Sequence, residues 1–505
     1  MLTRLEVHGF KNLVNVTVAF SPFTCIAGAN GVGKSNLFDA ITFLRALADR
    51  PLMDAASAVR DEVNRSTPLK SLFTSGPNPF NEMKFTAEMI VPLNSTDDLG
   101  QPAKAAITFL RYSLVLGLQK SADIQYGERL FVKHEELTHI NLGDAKSKLG
   151  FEHSASWRRS AVNGARRGGA FISTDEKDGQ TIVRLHQDGN AGRAREAVAV
   201  QMPRTVLSTA NAGECPTVLL ARREMQSWRL LQLEPSALRN PDSFNASAHI
   251  GPNGAHLAAT LHSLSRKYRS SSNGNASNPV TQAIANRLSE LVEGIADVRV
   301  DEDSKRELRT LEVIDRNGNV HAARALSDGT LRFLALSILE QDPESRGLLC
   351  FEEPENGINP KRIEAMLELL KDLAMDVHEE IGPDNPLRQV IINTHSPAVV
   401  ANVLDSDLLL ACPTEHVLDG HRYASVAYMW LPDTWRSAQS QGVPTMAKGE
   451  LLAYLDPLAF GEDDASSRNQ PSITGDRDRR PTRRVKNLFH DRYRTLPFDQ
   501  ESVAP

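Results

Sequence analysis

A glycine-rich segment near the start of the chain has the residue types and spacing of a phosphate-binding loop. Residues 28–35 read GANGVGKS and match GxxxxGK[ST], with an apolar run before them and a helical pattern after them. The glycines let the backbone fold around a phosphate chain, and the helix N-terminus adds positive partial charge. In this arrangement Lys34 reaches the β- and γ-phosphates and Ser35 is a ligand of Mg²⁺. The alternative is a glycine turn without a ligand.

Two adjacent acids follow an apolar run far later in the chain. The run GLLCF is typical of a buried strand, and Glu352 and Glu353 come directly after it. A buried strand seldom ends in paired carboxylates unless a cation or a reaction uses them. We expect Glu352 to lie beside Mg²⁺, through water, and Glu353 to direct the attacking water as general base. The alternative is a solvated pair or capping box that starts the next helix.

Two further segments carry groups that suit a γ-phosphate. ALSDGT opens a helical pattern, so it is either an ordinary capped helix or an anion site for the nucleotide of a second subunit. In the second case the Ser327 hydroxyl and the Gly329 N–H bind the phosphate. IINTHSP ends an apolar run in His395, which is either structural or a hydrogen-bonding sensor of the γ-phosphate.

The apolar pattern predicts the elements that hold these groups. Residues 24–27 form a short buried strand, and a helix follows at about 34–48. The acid strand is followed by a helix at about 360–375 and by a strand at 389–393 that leads to His395. Residues 154–195 lack sustained periodicity and predict a loop-rich insertion, and residues 270–278 predict a linker.

In this order the segments resemble the ABC-type ATPase heads of the SMC, RecF and OLD group. VHGFKN and SNLFDAI, on either side of the glycines, fit the same group, and the resemblance is strong over residues 1–50 and 320–400. It implies an α/β fold, a P-loop NTPase of ABC type with a mixed central sheet flanked by helices. A β-rich N-terminal part and an inserted helical, loop-rich subdomain complete the expected fold.

The resemblance also implies ATP and Mg²⁺ as cofactors, and it assigns the site residues. Lys11, in the first turn, is expected to approach the nucleotide. The residues assigned to the phosphates are Asn30, Gly31, Val32, Gly33, Lys34, Ser35 and Asn36, and those assigned to Mg²⁺ are Ser35 and Glu352. The catalytic residues are Glu353, as the base, and His395, as the switch. The residues that act across a pair of heads are Ser327 and Gly329.

The sequence departs from the wider class in four respects. Glu352 stands where an aspartate is usual, and its extra methylene shifts the carboxylate relative to Mg²⁺. LSDGT replaces the transporter-like LSGGQ, and no Q-loop glutamine can be assigned. No long coiled coil separates the two halves, so the insertion is short. The predicted divisions are an N-terminal ATPase lobe at 1–150, an insertion and helical subdomain at 151–320, a C-terminal ATPase lobe at 321–415, and an extension with a polar, basic tail at 416–505.

The composition is that of an ordinary globular protein. The 505 residues are 41% hydrophobic and 24% charged, and a net charge of −6 gives no general attraction to nucleic acid. Four scattered cysteines and the absence of a signal peptide or a long apolar stretch predict a reduced, cytoplasmic protein without membrane contact.

Several other patterns resemble functional sites. HEELTH spaces its histidines five residues apart, which disfavours a zinc site on a helix. Because few residues follow His395, we expect no built-in nuclease domain of the Toprim type. DNA contact rests on basic clusters at Arg158, Arg159, Arg166, Arg167, Arg193 and Arg195 and in the tail.

These features predict an ATP-hydrolysing switch that works as a homodimer or larger homo-oligomer. We expect ATP-sandwiched heads to control a separately encoded effector, such as a nuclease, in bacterial anti-phage defence. The alternatives are a RecF-like DNA-repair clamp that binds DNA directly and a nucleotide-bound scaffold with little turnover.

Overall fold

The computed structural model describes residues 1–59, 68–76, 78–120, 127–164, 168–188, 192–269, 278–439 and 445–455. Its β-strands, in chain order, are β1 (Leu2–Phe10), β2 (Leu13–Ala19), β3 (Phe23–Ala27), β4 (Glu82–Ile90), β5 (Asn94–Thr96), β6 (Pro102–Lys104), β7 (Phe109–Lys120), β8 (Glu128–His139), β9 (Ile172–Lys177), β10 (Gln180–Leu185), β11 (Arg195–Val198), β12 (Arg229–Leu231), β13 (Asp242–Ser243), β14 (Ile295–Asp303), β15 (Leu308–Asp315), β16 (Val320–Ala322), β17 (Gly347–Glu352), β18 (Arg388–Thr394), β19 (Leu408–Leu418) and β20 (His421–Met429).

The α-helices alternate with these strands through most of the chain. They are α1 (Lys34–Leu47), α2 (Leu52–Ala58), α3 (Ala145–Leu149), α4 (Ala155–Ala161), α5 (Pro216–Gln226), α6 (Pro235–Leu238), α7 (Leu257–Arg269), α8 (Pro279–Leu291), α9 (Asp328–Glu340), α10 (Ile363–Leu373), α11 (Pro397–Asn402), α12 (Trp435–Gln439) and α13 (Lys448–Leu455). None of the helices in the described ranges has both the length and the apolar character needed to cross a membrane.

Two large sheets form the frame of the molecule. One is antiparallel, with eight strands in the order β11-β10-β9-β8-β7-β4-β1-β2. The other has six strands in the order β12-β17-β18-β3-β19-β20, and all its neighbours are parallel except β19 and β20. A four-stranded sheet contains β13, β15, β14 and β16, and a two-stranded sheet contains β5 and β6. In the parallel part, the carboxyl ends of β12, β17, β18 and β3 meet at one edge.

Alternating side chains of the six-stranded sheet divide the interior into two cores. Leu348 and Cys350 belong to the core with α1, α5 and the eight-stranded sheet. Leu349 and Phe351 belong to the core with α7, α8, α9 and α10. Because both faces are covered, the central stretches of the parallel strands are apolar, as in LLCF of β17 and VII of β18, which is the pattern of a parallel sheet packed between layers. The polar groups at its carboxyl edge are thereby fixed to a rigid frame.

The prediction of a loop-rich insertion over residues 154–195 is wrong for the described part of that stretch. It contains α4 and the hairpin of β9 and β10, and β11 begins at its end; these strands extend the eight-stranded sheet across the predicted boundary at residue 150. The outer half of β9 is exposed on both faces, so its sequence lacks the apolar alternation that reveals a strand. Arg166, Arg167, most of the predicted linker and the basic tail lie outside the described residues.

Candidate active site

The glycine-rich loop leaves β3 and enters α1, as the sequence predicts. Gly31 and Gly33 have φ angles of +77° and +110°, which L side chains rarely adopt. The Asn12 side chain lies against Gly33, and its amide nitrogen donates to the Val32 carbonyl oxygen at 3.1 Å. The Asn36 amide in turn donates to the Asn12 side-chain oxygen at 2.8 Å. The β1–β2 turn therefore braces the loop from below.

The two glycines give a matched pair of substitutions. A Cβ on Gly33 would lie 2.2 Å from the Asn12 amide nitrogen, whereas a Cβ on Gly31 would meet nothing within 4 Å. Both alanines carry the backbone cost of a positive φ, about 1–2 kcal/mol, so the clash with Asn12 isolates the effect of the brace. We expect Gly33→Ala to weaken binding of a fluorescent ATP analogue at least about tenfold more than Gly31→Ala, a difference of about 1.4 kcal/mol. Equal affinities of the two variants would show that the brace is irrelevant.

Lys34 is folded back over this loop. Its Nζ donates to the carbonyl oxygens of the first two loop residues, Gly28 and Ala29, at 2.6 and 2.9 Å. Burial lowers the pKa of Lys34, and the carboxylates of Glu353 and two neighbouring glutamates oppose that effect. The loop thus holds its cation at the edge where the acids converge.

A cavity of about 610 Å³ joins the glycine loop to the acid pair. Its volume is in the range of small-molecule sites. The predicted residues that line it are Asn30, Gly31, Gly33, Lys34, Ser35, Asn36, Glu352 and Glu353. Val32 instead turns its side chain into the core beneath the loop. Lys34 and Glu352 come together because β3 and β17 both flank β18.

Gln232 is a residue of this cavity that the sequence pattern did not reveal. It follows β12, whose parallel partner β17 ends at Glu352. Its Nε2 donates to Glu352 Oε2 at 2.5 Å, which orients the carboxylate. A glutamine just after a short apolar run was the available signal. Because β12 has only three residues, its pairing with the acid strand could not be inferred from sequence alone.

Glu353 is held in a strained backbone conformation by the end of β18. Its φ is +44°, which is unusual for a residue with a side chain. Its N–H points at Asn393, with 3.2 Å to the backbone oxygen and 3.0 Å to the side-chain oxygen. Its carboxylate accepts from Asn356 Nδ2 at 2.9 Å and from His395 Nδ1 at 2.7 Å. Burial raises the pKa of Glu353, but the hydrogen bonds from Asn356 and His395, together with electrostatic attraction to His395 and Lys34, outweigh it and hold the pKa below its ordinary value.

A third acid lies just beyond this pair. Glu355 is buried, and it accepts a short hydrogen bond from the Thr394 hydroxyl. Burial raises the pKa of Glu355 despite that hydrogen bond. The sequence pattern predicts no role for Glu355.

Ser327 and Gly329 lie outside the lining of the cavity, at the N-terminus of α9. Ser327 is exposed and caps the helix, with its Oγ accepting from Thr330 N at 3.2 Å. Gly329 is buried against the turn after the acid strand, where a Cβ would lie 2.4 Å from the Gly357 carbonyl oxygen. The tip of α9 is therefore fixed to the turn of residues 353–357 that follows β17, which we call the acid turn, while the Ser327 side chain faces outward.

Two family models match the segments that build this site. Residues 4–84 match an "AAA domain" model, and residues 229–401 match "AAA domain, putative AbiEii toxin, Type IV TA system".

Among solved structures, the chain is similar to an Smc head bound to the C-winged helix domain of ScpA. The identity is 14%, the TM-score is 0.42, and the match covers 85% of this chain and 98% of that one. An SMC head from Thermotoga maritima has 12% identity, a TM-score of 0.34, and coverage of 84% and 97%. An Smc head with an extended coiled coil from Pyrococcus furiosus, bound to the C-terminal domain of ScpA, has 12% identity, a TM-score of 0.41, and coverage of 85% and 96%. A comparison with curated proteins found no match.

The two matched segments, residues 4–84 and 229–401, are therefore similar to AAA domains. The first matched segment supplies the glycine loop, and the second supplies Gln232, the tip of α9, the acid pair and His395. Lys11, which was expected near the nucleotide, pairs its Nζ with Asp39 Oδ2 at 2.5 Å.

The donor set of the head suits a magnesium ion that arrives with a phosphate. The described residues contain no cluster of three or more His, Cys, Asp and Glu side chains that could hold a metal by itself. Ser35 and Glu352 both line the cavity and offer oxygen ligands. Mg²⁺ is usually bound by one or two protein carboxylates or hydroxyls together with phosphate and water. The residues therefore fit the ion that the fold implies.

Proposed function

We propose that this head binds ATP with Mg²⁺ in the cavity between the glycine loop and the acid pair and hydrolyses it slowly. One observation carries the proposal: Lys34, Ser35, Glu352 and Glu353 line a single cavity although they come from distant parts of the sequence. When bound, Mg²⁺ neutralises charge on the β- and γ-phosphate oxygens. Ser35 and Glu352 would hold it, and Gln232 fixes the Glu352 carboxylate that does so.

Glu353 is the proposed general base. Its lowered pKa keeps it ionised near neutral pH, so it can accept a proton from the attacking water. His395 does not line the cavity, but it donates to the same carboxylate and so orients the base, and we propose that it senses the γ-phosphate through this contact. Lys34 would release its two loop carbonyls for the β- and γ-phosphates, since charged acceptors form stronger hydrogen bonds.

We propose further that two heads pair around ATP. Ser327 is exposed at the tip of α9 and lies outside its own cavity, so it is available to a nucleotide held by a second copy. A helix N-terminus is a suitable anion site. Hydrolysis would then remove the phosphate that both copies share and let them separate.

The cycle of ATP binding, head pairing and hydrolysis has two candidate roles in the cell. The first is control of a separate effector protein in anti-phage defence; the family description over residues 229–401, which mentions a putative toxin of a toxin–antitoxin system, is compatible with it. The second is a RecF-like clamp on DNA, which the basic residues Arg158, Arg159 and Arg193 favour. A DNA affinity that rises with ATP and falls steeply with salt would favour the clamp.

The nucleotide site is tested by Lys34→Ala. The substitution removes the cation expected to contact the phosphates, so affinity for ATP should fall at least about tenfold. Binding of a fluorescent ATP analogue and release of phosphate are measured on the full chain with Mg²⁺. Lys70→Ala, which removes an exposed lysine paired with Glu128, is the control. ATP binding equal to that of wild type in Lys34→Ala would contradict the proposed site.

A further inference from the structure

Glu355 is a buried carboxyl beside the proposed base that the mechanism above does not use. Its side chain is only 6% exposed. One oxygen accepts from the Thr394 hydroxyl, and the other is buried with no hydrogen-bond partner among the described residues. An unsatisfied buried polar atom destabilises the folded state. A purely structural position would be filled more favourably by an apolar side chain, so the contact with Thr394 requires another reason.

Thr394 connects three parts of the site. It is fully buried at the end of β18, next to His395. Its Oγ1 donates to Glu355 and accepts from the Ser396 N–H at 2.9 Å. Its carbonyl oxygen accepts from Gly28 N at 3.2 Å, where the glycine loop begins. One residue thus holds the acid turn, the backbone beyond the histidine and the first residue of the loop.

The acid turn is attached to the end of β18 at two points. Asn393 binds the N–H of Glu353, and Thr394 binds the side chain of Glu355. The positive φ of Glu353 stores strain that the surroundings must oppose. Without the second attachment, the turn is free to relax toward an ordinary conformation and to carry the Glu353 carboxylate away from His395.

We propose that Thr394 and Glu355 are positioning residues, whose hydroxyl–carboxyl hydrogen bond keeps the Glu353 carboxylate on His395 and aimed into the cavity. The inference rests on the proposed ATPase function and adds to it a second pair of residues. Neither residue lines the cavity, so they act through Glu353 and His395. A displacement of about 1 Å in a reacting group can lower a rate by about a hundredfold.

The test is a pair of substitutions at one position. Thr394→Val keeps the shape but removes the hydroxyl, and it should lower kcat at least about tenfold with KM within about twofold. Thr394→Ser keeps the hydroxyl and should restore most of the rate. Thr108→Val is the matched control, because it removes a buried hydroxyl bonded to Ala161 O at 2.8 Å far from the site. It should lower the melting temperature to a comparable extent without affecting kcat.

Two results would contradict the positioning role of Thr394. A Thr394→Val protein with the kcat of wild type would overturn the proposal. So would a Thr394→Ser protein as slow as Thr394→Val, since the loss would then come from packing and not from the hydroxyl.

A second readout separates this inference from the ATPase assignment. In protein labelled with ¹⁵N-histidine, the His395 signals are assigned by their loss in His395→Gln. Thr394→Val should shift the His395 ring nitrogens, and Thr108→Val should leave them in place. If wild type releases no phosphate but this shift appears, the ATPase proposal fails and the positioning inference stands. If the shift is absent while turnover depends on Glu353, the positioning inference fails and the ATPase proposal stands.

Discussion

Glu353→Gln is expected to lower the rate of phosphate release by about a thousandfold while ATP still binds, because loss of a general base typically costs 10²- to 10⁴-fold. The amide keeps the size of the carboxylate and can still accept the hydrogen bond from His395, which now spans 2.7 Å. It cannot take a proton from water. The loop and Lys34, which are proposed to bind the phosphates, are unchanged.

The same variant should accumulate as paired heads in the presence of ATP. If hydrolysis separates the pair, blocking hydrolysis leaves ATP shared between the two copies. Light scattering with Mg²⁺ and ATP should therefore report a doubled mass for Glu353→Gln and a smaller dimer fraction for wild type. Phosphate release equal to that of wild type would mean that the base is elsewhere, and Glu136→Gln on β8 serves as a control far from the cavity.

The parts of the site that the sequence predicted are those encoded by short, continuous segments. The glycine loop needs glycine where φ is positive, and Gly31 and Gly33 meet that need with no reference to distant residues. Glu352 and Glu353 stand out because they end an apolar strand. The order of strand, helix and strand then placed His395 on the neighbouring strand, and the parallel pairing of β17 with β18 confirms that placement.

The parts that could not be predicted depend on contacts between distant segments. Gln232 becomes a site residue only because the three-residue strand β12 pairs with β17. Asn12 braces the loop through hydrogen bonds to Val32 and Asn36 that no local pattern announces. Glu355 resembles a solvated turn acid in sequence, yet it is buried because Thr394 lies opposite.

Local composition also concealed strands in the outer parts of the sheets. The last hundred residues show few apolar runs, yet β19 and β20 complete one side of the six-stranded sheet. β20 begins with two exposed residues, His421 and Arg422, and buries the polar Ser425, whose hydroxyl donates to the Asn12 carbonyl oxygen at 3.0 Å. A strand that buries polar groups through specific partners does not show the apolar alternation on which sequence assignment depends.

Ser327→Arg is expected to weaken ATP-dependent pairing of heads by at least about a hundredfold, or about 2.7 kcal/mol, while ATP binding to the single head persists. The exposed tip of α9 must approach the partner's phosphates to within hydrogen-bonding distance for its N–H groups to act. An arginine side chain at the N-cap holds the phosphates away from those groups, and it also removes the hydroxyl that accepts from Thr330 N.

Ser327→Ala separates these two effects. It deletes the cap alone, at a cost of about 1 kcal/mol to the helix, and should reduce pairing far less than arginine does. Both variants are measured by light scattering in the Glu353→Gln background, where pairs accumulate, and a fluorescent ATP analogue reports binding to the single head. Ser327 lies outside its own cavity, so the proposal requires that pairing and binding respond differently. Pairing that survives Ser327→Arg would show that the heads meet through another surface, whereas a parallel loss of ATP binding would place Ser327 in its own nucleotide site.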